Sequence, residues 1–461
     1  MDFGGGALGP LTGLPHVGGV AGRLEADRVR RTIAEVTLLM AEREQLFADR
    51  SIDSTDMMRQ MHREGRLPEL SAADVVLVID NYPVLRSEYE DLVDVVQDIG
   101  ARGLGFGVHL VLTAGRWADL RMQMQAVIGT KIELRLNDPL DSTIKRKAAE
   151  NLRADQPGRC LNQDALFAHV ALPRIDGSDD PGTLQKGLDD LVSKVALAWP
   201  GERAPAIRML PSLVTYDDVA RQAGSSSAAG DGIRLGVDET ELRPVLLDLF
   251  RVEQHLLAFG DAASGKTSLL RLLVHDLTGR YTDDQVVFAV IDIRRTLLDT
   301  VPDDYLGAYA GTANAAAGLV HGVSNELRKR LPPDDVTVKQ LRERSWWNGP
   351  EIVVLVDDYD LLSGGGPGPL APFMEFLPQS RDLGFHLVLA RRSGGAGRAI
   401  FEPVPQRMKE VGSAGLLMSG ERQEGQLWPQ TYLSVQPPGR GYLVRKNRKP
   451  SLVQLAYVEP T

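Results

Sequence analysis

Residues 255–277 read HLLAFGDAASGKTSLLRLLVHDL, and this stretch leaves the chain few ways to fold. An apolar strand precedes a loop of the form G-x-x-x-x-G-K-T and an apolar helix follows it, the context in which this motif cradles phosphates. Gly260 and Gly265 let the backbone wrap closely around a nucleotide. The backbone from Gly260 through Asp261, Ala262, Ala263, Ser264, Gly265, Lys266 and Thr267 to Ser268, with the helix N-terminus, supplies positive potential for the phosphates. Lys266 is placed to reach the β- and γ-phosphates, and Thr267 to set its hydroxyl on Mg²⁺. The chain therefore holds an α/β module built for ATP and Mg²⁺.

A second landmark, EIVVLVDDYDLL at Glu351–Leu362, is an apolar strand ending in two acids. Asp357 is expected to contact Mg²⁺ directly or through its water, and Asp358 stands where a carboxylate would polarise the attacking water. Glutamate is the usual choice at that place. Aspartate is one methylene shorter, and misplacement by about 1 Å can cost on the order of a hundredfold in rate. ATP binding should survive this change better than turnover.

The same strand shape occurs upstream of the phosphate loop, where a single module offers no place for it. VVLVIDNY, Val75–Tyr82, matches VVLVDDY, Val353–Tyr359, so that Asp80 falls on Asp357. GVHLVLTAGR, Gly107–Arg116, matches GFHLVLARR, Gly384–Arg392, and His109 lies as far beyond Asp80 as His386 lies beyond Asp357. QPGRC before one apolar strand echoes PPGRG before another. Landmarks in one order and near one offset mean tandem copies of one module. In the first copy the acid pair is Asp80 and Asn81, and an amide cannot serve as a base. Met1 and Asp2 sit where a strand of that copy ends, and FGGG reads as the turn after it, with no Gly-Lys-Ser/Thr to make a cradle. The first module is expected to be truncated at its N-terminus and to lack its phosphate loop.

The seam between the copies is visible as well. A helical pattern through Leu184, Leu188, Leu191, Val192 and Val195 runs into WPGERAPAIRMLP, Trp199–Pro211, where prolines stop regular structure. A low-complexity run, AGSSSAAGDG, follows at Ala223–Gly232. The expected division is a truncated module over 1–210, a linker over 211–232 and a complete module over 233–461.

Composition limits the rest. With 461 residues and 43% hydrophobic content, the chain can bury more than one core. No apolar run approaches the length of a membrane span, and the lone Cys160 can form no internal disulfide. A net charge of −10 argues against a broad electrostatic grip on nucleic acid.

LGVDETELRPVLLDLFRVEQHLLAFGDAASGKTSLLR, Leu235–Arg271, with DFGGGAL, LPHVGGV, ALPRIDG and SWWNGPEIVVLVDDYDLL, resembles the last modules of the FtsK/SpoIIIE-type ATPases of type VII (ESX) secretion, the EccC family. The resemblance covers essentially the whole chain and implies tandem FtsK/RecA-like P-loop NTPase modules, the second complete. It carries Gly260, Gly265, Lys266 and Thr267 over as nucleotide-binding and Asp357 as metal-binding. It also implies a slowly hydrolysing component of a secretion motor that recognises small helical secreted proteins through a C-terminal signal. Such a component would work with other ESX subunits, oligomerise with a membrane-anchored ATPase and sit in the cytoplasm at the inner face of the membrane. The chain departs from the active pattern at Asp358, and from a full-length member in lacking an anchor and an upstream half-module. Two other functions fit such modules: a DNA translocase like FtsK or SpoIIIE, and a nucleotide-clamped docking platform with negligible hydrolysis. DNA is not the expected partner, given the acidic balance and the end of the chain soon after the last module.

Three further features carry alternatives. Arg391 and Arg392 follow an apolar strand and fit a γ-phosphate sensor, an arginine finger reaching a neighbouring subunit, or a solvated strand end. Trp346 and Trp347 fit packing with indole N–H groups satisfied better than a partner anchor. PPGRGYLVR reads as a turn leading into a strand, with no assigned contact.

Overall fold

The computed structural model describes residues 1–224, 232–362 and 368–460, which form two compact units, Met1–Met209 and Leu210–Thr461. The first unit opens with Met1 and Asp2 pairing beside a strand. Its long helix α1 (Ala26–Arg50) buries Val29, Ile33, Val36 and Met40, one stripe at helical spacing, and ends where Ser51 turns left-handed. Strands β1 (Val75–Ile79) and β2 (Val108–Leu112) pair in parallel, with Val75 opposite Val108. A separate antiparallel sheet holds β3 (Ile132–Leu134), β4 (Arg159–Asn162) and β5 (Phe167–His169), with Cys160 buried in its middle strand.

The second unit is built on an eleven-stranded sheet. Its strands are β6 (Ile233–Asp238), β7 (Pro244–Leu247), β8 (Leu256–Phe259), β9 (Val286–Asp292), β10 (Leu306–Ala310), β11 (Glu351–Asp357), β12 (Phe385–Arg391), β13 (Ala414–Leu417), β14 (Arg440–Val444) and β15 (Ser451–Tyr457), with a short strand at Val214–Thr215 beside β15. Their order across the sheet is β10-β9-β11-β12-β8-β13-β14-β15-β6-β7. The first six run parallel, and their sequences are near-continuous apolar runs because helices cover both faces. The period of two shows in the core: Val353 and Leu355 of β11 point into one apolar cluster, Ile352, Val354 and Val356 into the other. Helix α2 (Lys266–Thr278) packs on the first cluster through Leu269, Leu270, Leu273 and Leu277.

The stretch 211–232, expected as a linker, is in part a piece of the second unit. Val214–Thr215 pairs with β15, and a helix at Tyr216–Gly224 buries Val219 and Ala223, apolar positions four apart. The Tyr216 hydroxyl donates to the buried Asp276 carboxylate of α2 at 2.9 Å, and the Arg440 guanidinium donates to the carbonyls of Leu210 and Pro211 at 3.0 and 2.9 Å. Residues 225–231, most of the low-complexity run, lie outside the described residues.

The two units repeat one framework beyond the residues that match by eye. In α1, the buried Arg43 donates to the carbonyls of Ala73, Phe106 and Gly107 at 2.9, 2.6 and 3.2 Å, at the start of β1 and β2. In the second unit, Arg330 follows helix α3 (Ala313–Lys329) and donates to the carbonyls of Pro350 and Leu383 at 2.9 and 3.1 Å, at the start of β11 and β12. His109 meets Asp74 at 2.8 Å as His386 meets Glu351 at 2.9 Å. Each unit thus seats its pair of parallel strands on a buried guanidinium that donates to carbonyls at the strand starts.

Candidate nucleotide site

Strands β8, β9 and β11 end side by side at the carboxyl edge of the parallel sheet, with β12 between the first and the last. In open α/β sheets that edge is where ligands bind. The loop after β8 is pinned from both flanks: the Gly260 N–H donates to the Arg391 carbonyl at 3.1 Å and the Asp261 N–H to the Ser419 carbonyl at 2.8 Å. It turns through Ala263 and Gly265 at φ 58° and 108°. A Cβ at Gly260 would lie 2.3 Å from the Ser264 hydroxyl oxygen, and one at Gly265 3.1 Å from the Gly439 nitrogen. Both glycines are therefore required by close approach, and Gly265 by backbone sign as well.

Lys266, the first residue of α2, is buried and folds over its own loop, its Nζ donating to the carbonyls of Gly260 and Asp261 at 2.9 Å each. Burial pushes its ammonium down from the usual lysine range, against the opposing pull of Asp358 and Asp357. The Thr267 hydroxyl donates to Oδ2 of Asp357 at 2.7 Å. Burial raises the Asp357 carboxyl, while the Thr267 bond lowers it and the neighbouring Asp358 charge raises it further. A carboxylate and a hydroxyl are hard oxygen donors that fit Mg²⁺, which takes one or two carboxylates and completes its shell with phosphate and water.

Asp358 takes a left-handed conformation, φ 48° and ψ 53°, directly after β11. Arg392, past the end of β12, lies toward Asp360, with 3.9 Å between Nε and Oδ2, on the same edge. Arg391 points the other way, buried beside Phe259 and 3.6 Å from Glu402, and belongs to the packing. Trp346 and Trp347 lie half-buried near Arg330, their indole N–H groups donating to the carbonyls of Arg330 and Asp382 at 2.7 and 2.8 Å. The turn PPGRG does make a contact: the Gly439 N–H donates to the Ser264 carbonyl at 2.7 Å and so backs the phosphate loop.

Four residues of this edge are not evident from the motifs. Asp292 ends β9 directly opposite Asp357 and accepts from the Leu297 N–H at 2.6 Å and the Tyr309 hydroxyl at 3.0 Å. The Thr296 hydroxyl lies 3.1 Å from Oδ2 of Asp357 and 3.3 Å from Oδ1 of Asp292. Arg294, on the turn after β9, pairs with Asp358 at 2.7 Å. The signal for Asp292 was an apolar strand closing on an acid, VVFAVID; the others have none.

In the first unit, Asp80 and Asn81 hold the same places after β1. Asn81 has φ 59° and ψ 59°, and Oδ1 of Asp80 accepts from the Thr113 hydroxyl at 2.6 Å. Asp2 bridges to Asp80 as Asp292 pairs with Asp357. FGGG is the turn that wraps Asp2, whose carboxylate accepts from the N–H groups of Gly4, Gly6 and Leu8 at 3.2, 3.1 and 2.8 Å. Partial burial pushes that carboxyl up, and the donors, Leu8 foremost, outweigh it and hold it below its ordinary range.

The FtsK/SpoIIIE family profile matches residues 1–176. The chain is 44% identical over 459 residues to the ESX secretion system protein EccC of Thermomonospora curvata, covering 100% of this chain and 34% of that protein. It is 41% identical over 460 residues to EccC4 of the ESX-4 secretion system of Mycobacterium tuberculosis, covering 100% of this chain and 36% of that one. The chain thus spans about a third of the length of these two relatives. The solved structure of ATPases 2 and 3 of Thermomonospora curvata EccC, in complex with a signal sequence peptide, matches with a TM-score of 0.90 at 44% identity, over 100% of this chain and 82% of that one. The ESX-1 protein EccCb1 of Mycobacterium tuberculosis is 36% identical over 472 residues, covering 100% of this chain and 79% of that protein. With tandem modules of P-loop NTPase fold and this identity across most of EccCb1, the chain belongs to the EccC family of ESX secretion system ATPases.

Proposed function

We propose that this chain is an ATP-binding, slowly hydrolysing component of an ESX secretion motor, and that its nucleotide site lies in the second unit. The observation that carries this reading is the convergence of Lys266, Thr267 and Asp357 on a loop whose glycines let it fold closely on itself. Lys266 would exchange its two loop carbonyls for phosphate oxygens, Thr267 and Asp357 would hold Mg²⁺, and Asp358 would accept the proton of the attacking water. Mg²⁺, when bound, neutralises charge developing on the phosphates. The first unit, with Asn81 at the base position, contributes framework and surface. Lys266→Ala should weaken ATP binding by roughly a hundredfold, since a charge-assisted contact inside the cradle is lost. Stoichiometric ATP binding by that variant at the parent's affinity, in isothermal titration, would remove the assignment.

The partners follow from the family: other ESX subunits, a membrane-anchored ATPase, and small helical secreted proteins read through a C-terminal signal. Support for the last comes from the relative solved with a signal sequence peptide. Among the described residues no helix is long and apolar enough to cross a membrane. A helix laid in an apolar groove binds with little dependence on salt, unlike DNA. Titration of the full chain with C-terminal peptides of candidate secreted helical proteins should give binding that scrambled peptides lack and that survives 0.5 M salt. Equal binding of scrambled peptides argues against the docking role, and a salt-sensitive DNA shift in its place favours the translocase. One observation favours the docking platform with negligible hydrolysis, namely the short Asp358 carboxylate already engaged by Arg294.

A further inference from the structure

Arg294 lies two residues past Asp292 on the turn leaving β9, and its Nε meets Oδ2 of Asp358 at 2.7 Å. The Asp358 side chain is 13% exposed and that of Arg294 44%, so the arginine closes over the acid from the solvent side. Two other cations of this edge are engaged elsewhere: Lys266 on the loop carbonyls, Arg392 toward Asp360.

The tandem copy serves as an internal control. Asn81 keeps the left-handed backbone of Asp358. Because Asp2 pairs with Asp80 as Asp292 pairs with Asp357, the place of Arg294 falls on Gly4. A Cβ at Gly4 would lie 1.9 Å from Oδ2 of Asp80, so a side chain there would have to displace that carboxylate. Carboxylate and guanidinium are present together in one copy and absent together in the other, while the left-handed residue after the strand and the paired strand ends are retained. An arginine kept only for the fold would have no reason to disappear with the acid.

We propose that Arg294 is a positioning residue that latches the Asp358 carboxylate, and that release of this ion pair frees Asp358 to act as the base. The proposal rests on the reading of the second unit as an ATP site. In the step concerned, a water oxygen bonds to the γ-phosphorus. The bond from that phosphorus to the bridging oxygen breaks with its electron pair leaving on ADP. The proton lost by the water passes to Asp358, which returns it to the departing phosphate or to solvent. The Asp358 oxygen that meets the guanidinium at 2.7 Å is occupied by that contact and is not open to the attacking water. The latch therefore leaves ATP bound and uncleaved until a change at the turn after β9 withdraws Arg294.

The test compares full-length R294Q, R294K, D358N and the double variant R294Q/D358N by steady-state hydrolysis and by ATP affinity. R294Q should raise kcat about fivefold, the scale of a half-exposed ion pair, with ATP Kd unchanged. R294K, which keeps the charge, should raise it less, and D358N added to R294Q should remove the gain. If D358N lowers kcat and R294Q fails to raise it while binding ATP normally, the latch is overturned and the ATPase reading stands. If D358N changes kcat in neither background, Asp358 is no base and the latch falls with it, while the ATP site is judged by Lys266→Ala.

Discussion

At the scale of single residues, the site divides by how far its parts lie from one another in sequence. Gly260, Gly265, Lys266 and Thr267 are readable because one turn of backbone places them all, and Asp357 because an apolar strand must end at the carboxyl edge of its sheet. Thr296, Tyr309 and Arg294 reach the site from the turn after β9 and from β10, which becomes a neighbour only once the parallel pairing is known. Asp358 is where rate should be most adjustable. Asp358→Glu extends the carboxylate by one methylene toward the attacking water, and hydrolysis should rise with ATP affinity almost unchanged, since the gain acts on the transition state. Single-turnover measurements at saturating ATP check this; a rate at or below the parent's means that reach is not what limits turnover.

Among elements, the strands were legible as apolar runs and the repeat as matched runs, but the joints that seat them were not. Arg43 and Arg330 sit within helical sequence that gives no hint of a buried guanidinium, because their acceptors are main-chain carbonyls of a distant strand pair. Part of the expected linker over 211–232 is an ordered element, hidden in the sequence for a similar reason: it is held by Asp276 and Arg440, far along the chain. His255, beside the start of β8, offers a measurable consequence of such packing. Its Nδ1 accepts from the Leu387 N–H at 2.9 Å, and burial, with the nearby His386 adding to it, pushes the imidazole down to about 3. The unfolded chain regains the ordinary value of about 6.5 and takes up a proton that the folded protein refuses. Stability should therefore be full above about pH 6.5 and fall toward pH 3, by at most about 1.4 kcal/mol per pH unit from this group. Denaturant midpoints at pH 7.5 and 5.0 test this: His255→Phe should show a smaller loss between the two than the parent, and an equal loss would place the pH dependence elsewhere.

Taken as a whole molecule, the chain carries two versions of one framework with different degrees of enclosure. In the second unit β12 is flanked by β11 and β8, and its residues are buried throughout. In the first, β2 forms a two-stranded sheet with β1, and Val76 and Val111 are 56% and 46% exposed. Amides of Val108–Leu112 should accordingly exchange with solvent well before those of Phe385–Arg391, since an edge strand opens without disturbing a second neighbour. Hydrogen exchange read by mass spectrometry checks this on the full chain; equal protection would show that another molecule or a second copy covers that edge in solution. The buried arginine seat and the His–carboxylate pair persist in both units, although only one unit kept a pair of acids at its strand end. In terms of variation, the seat and the strand-end acids differ independently between the two copies, so a framework of this kind holds its strands whether or not a second acid stands at the edge.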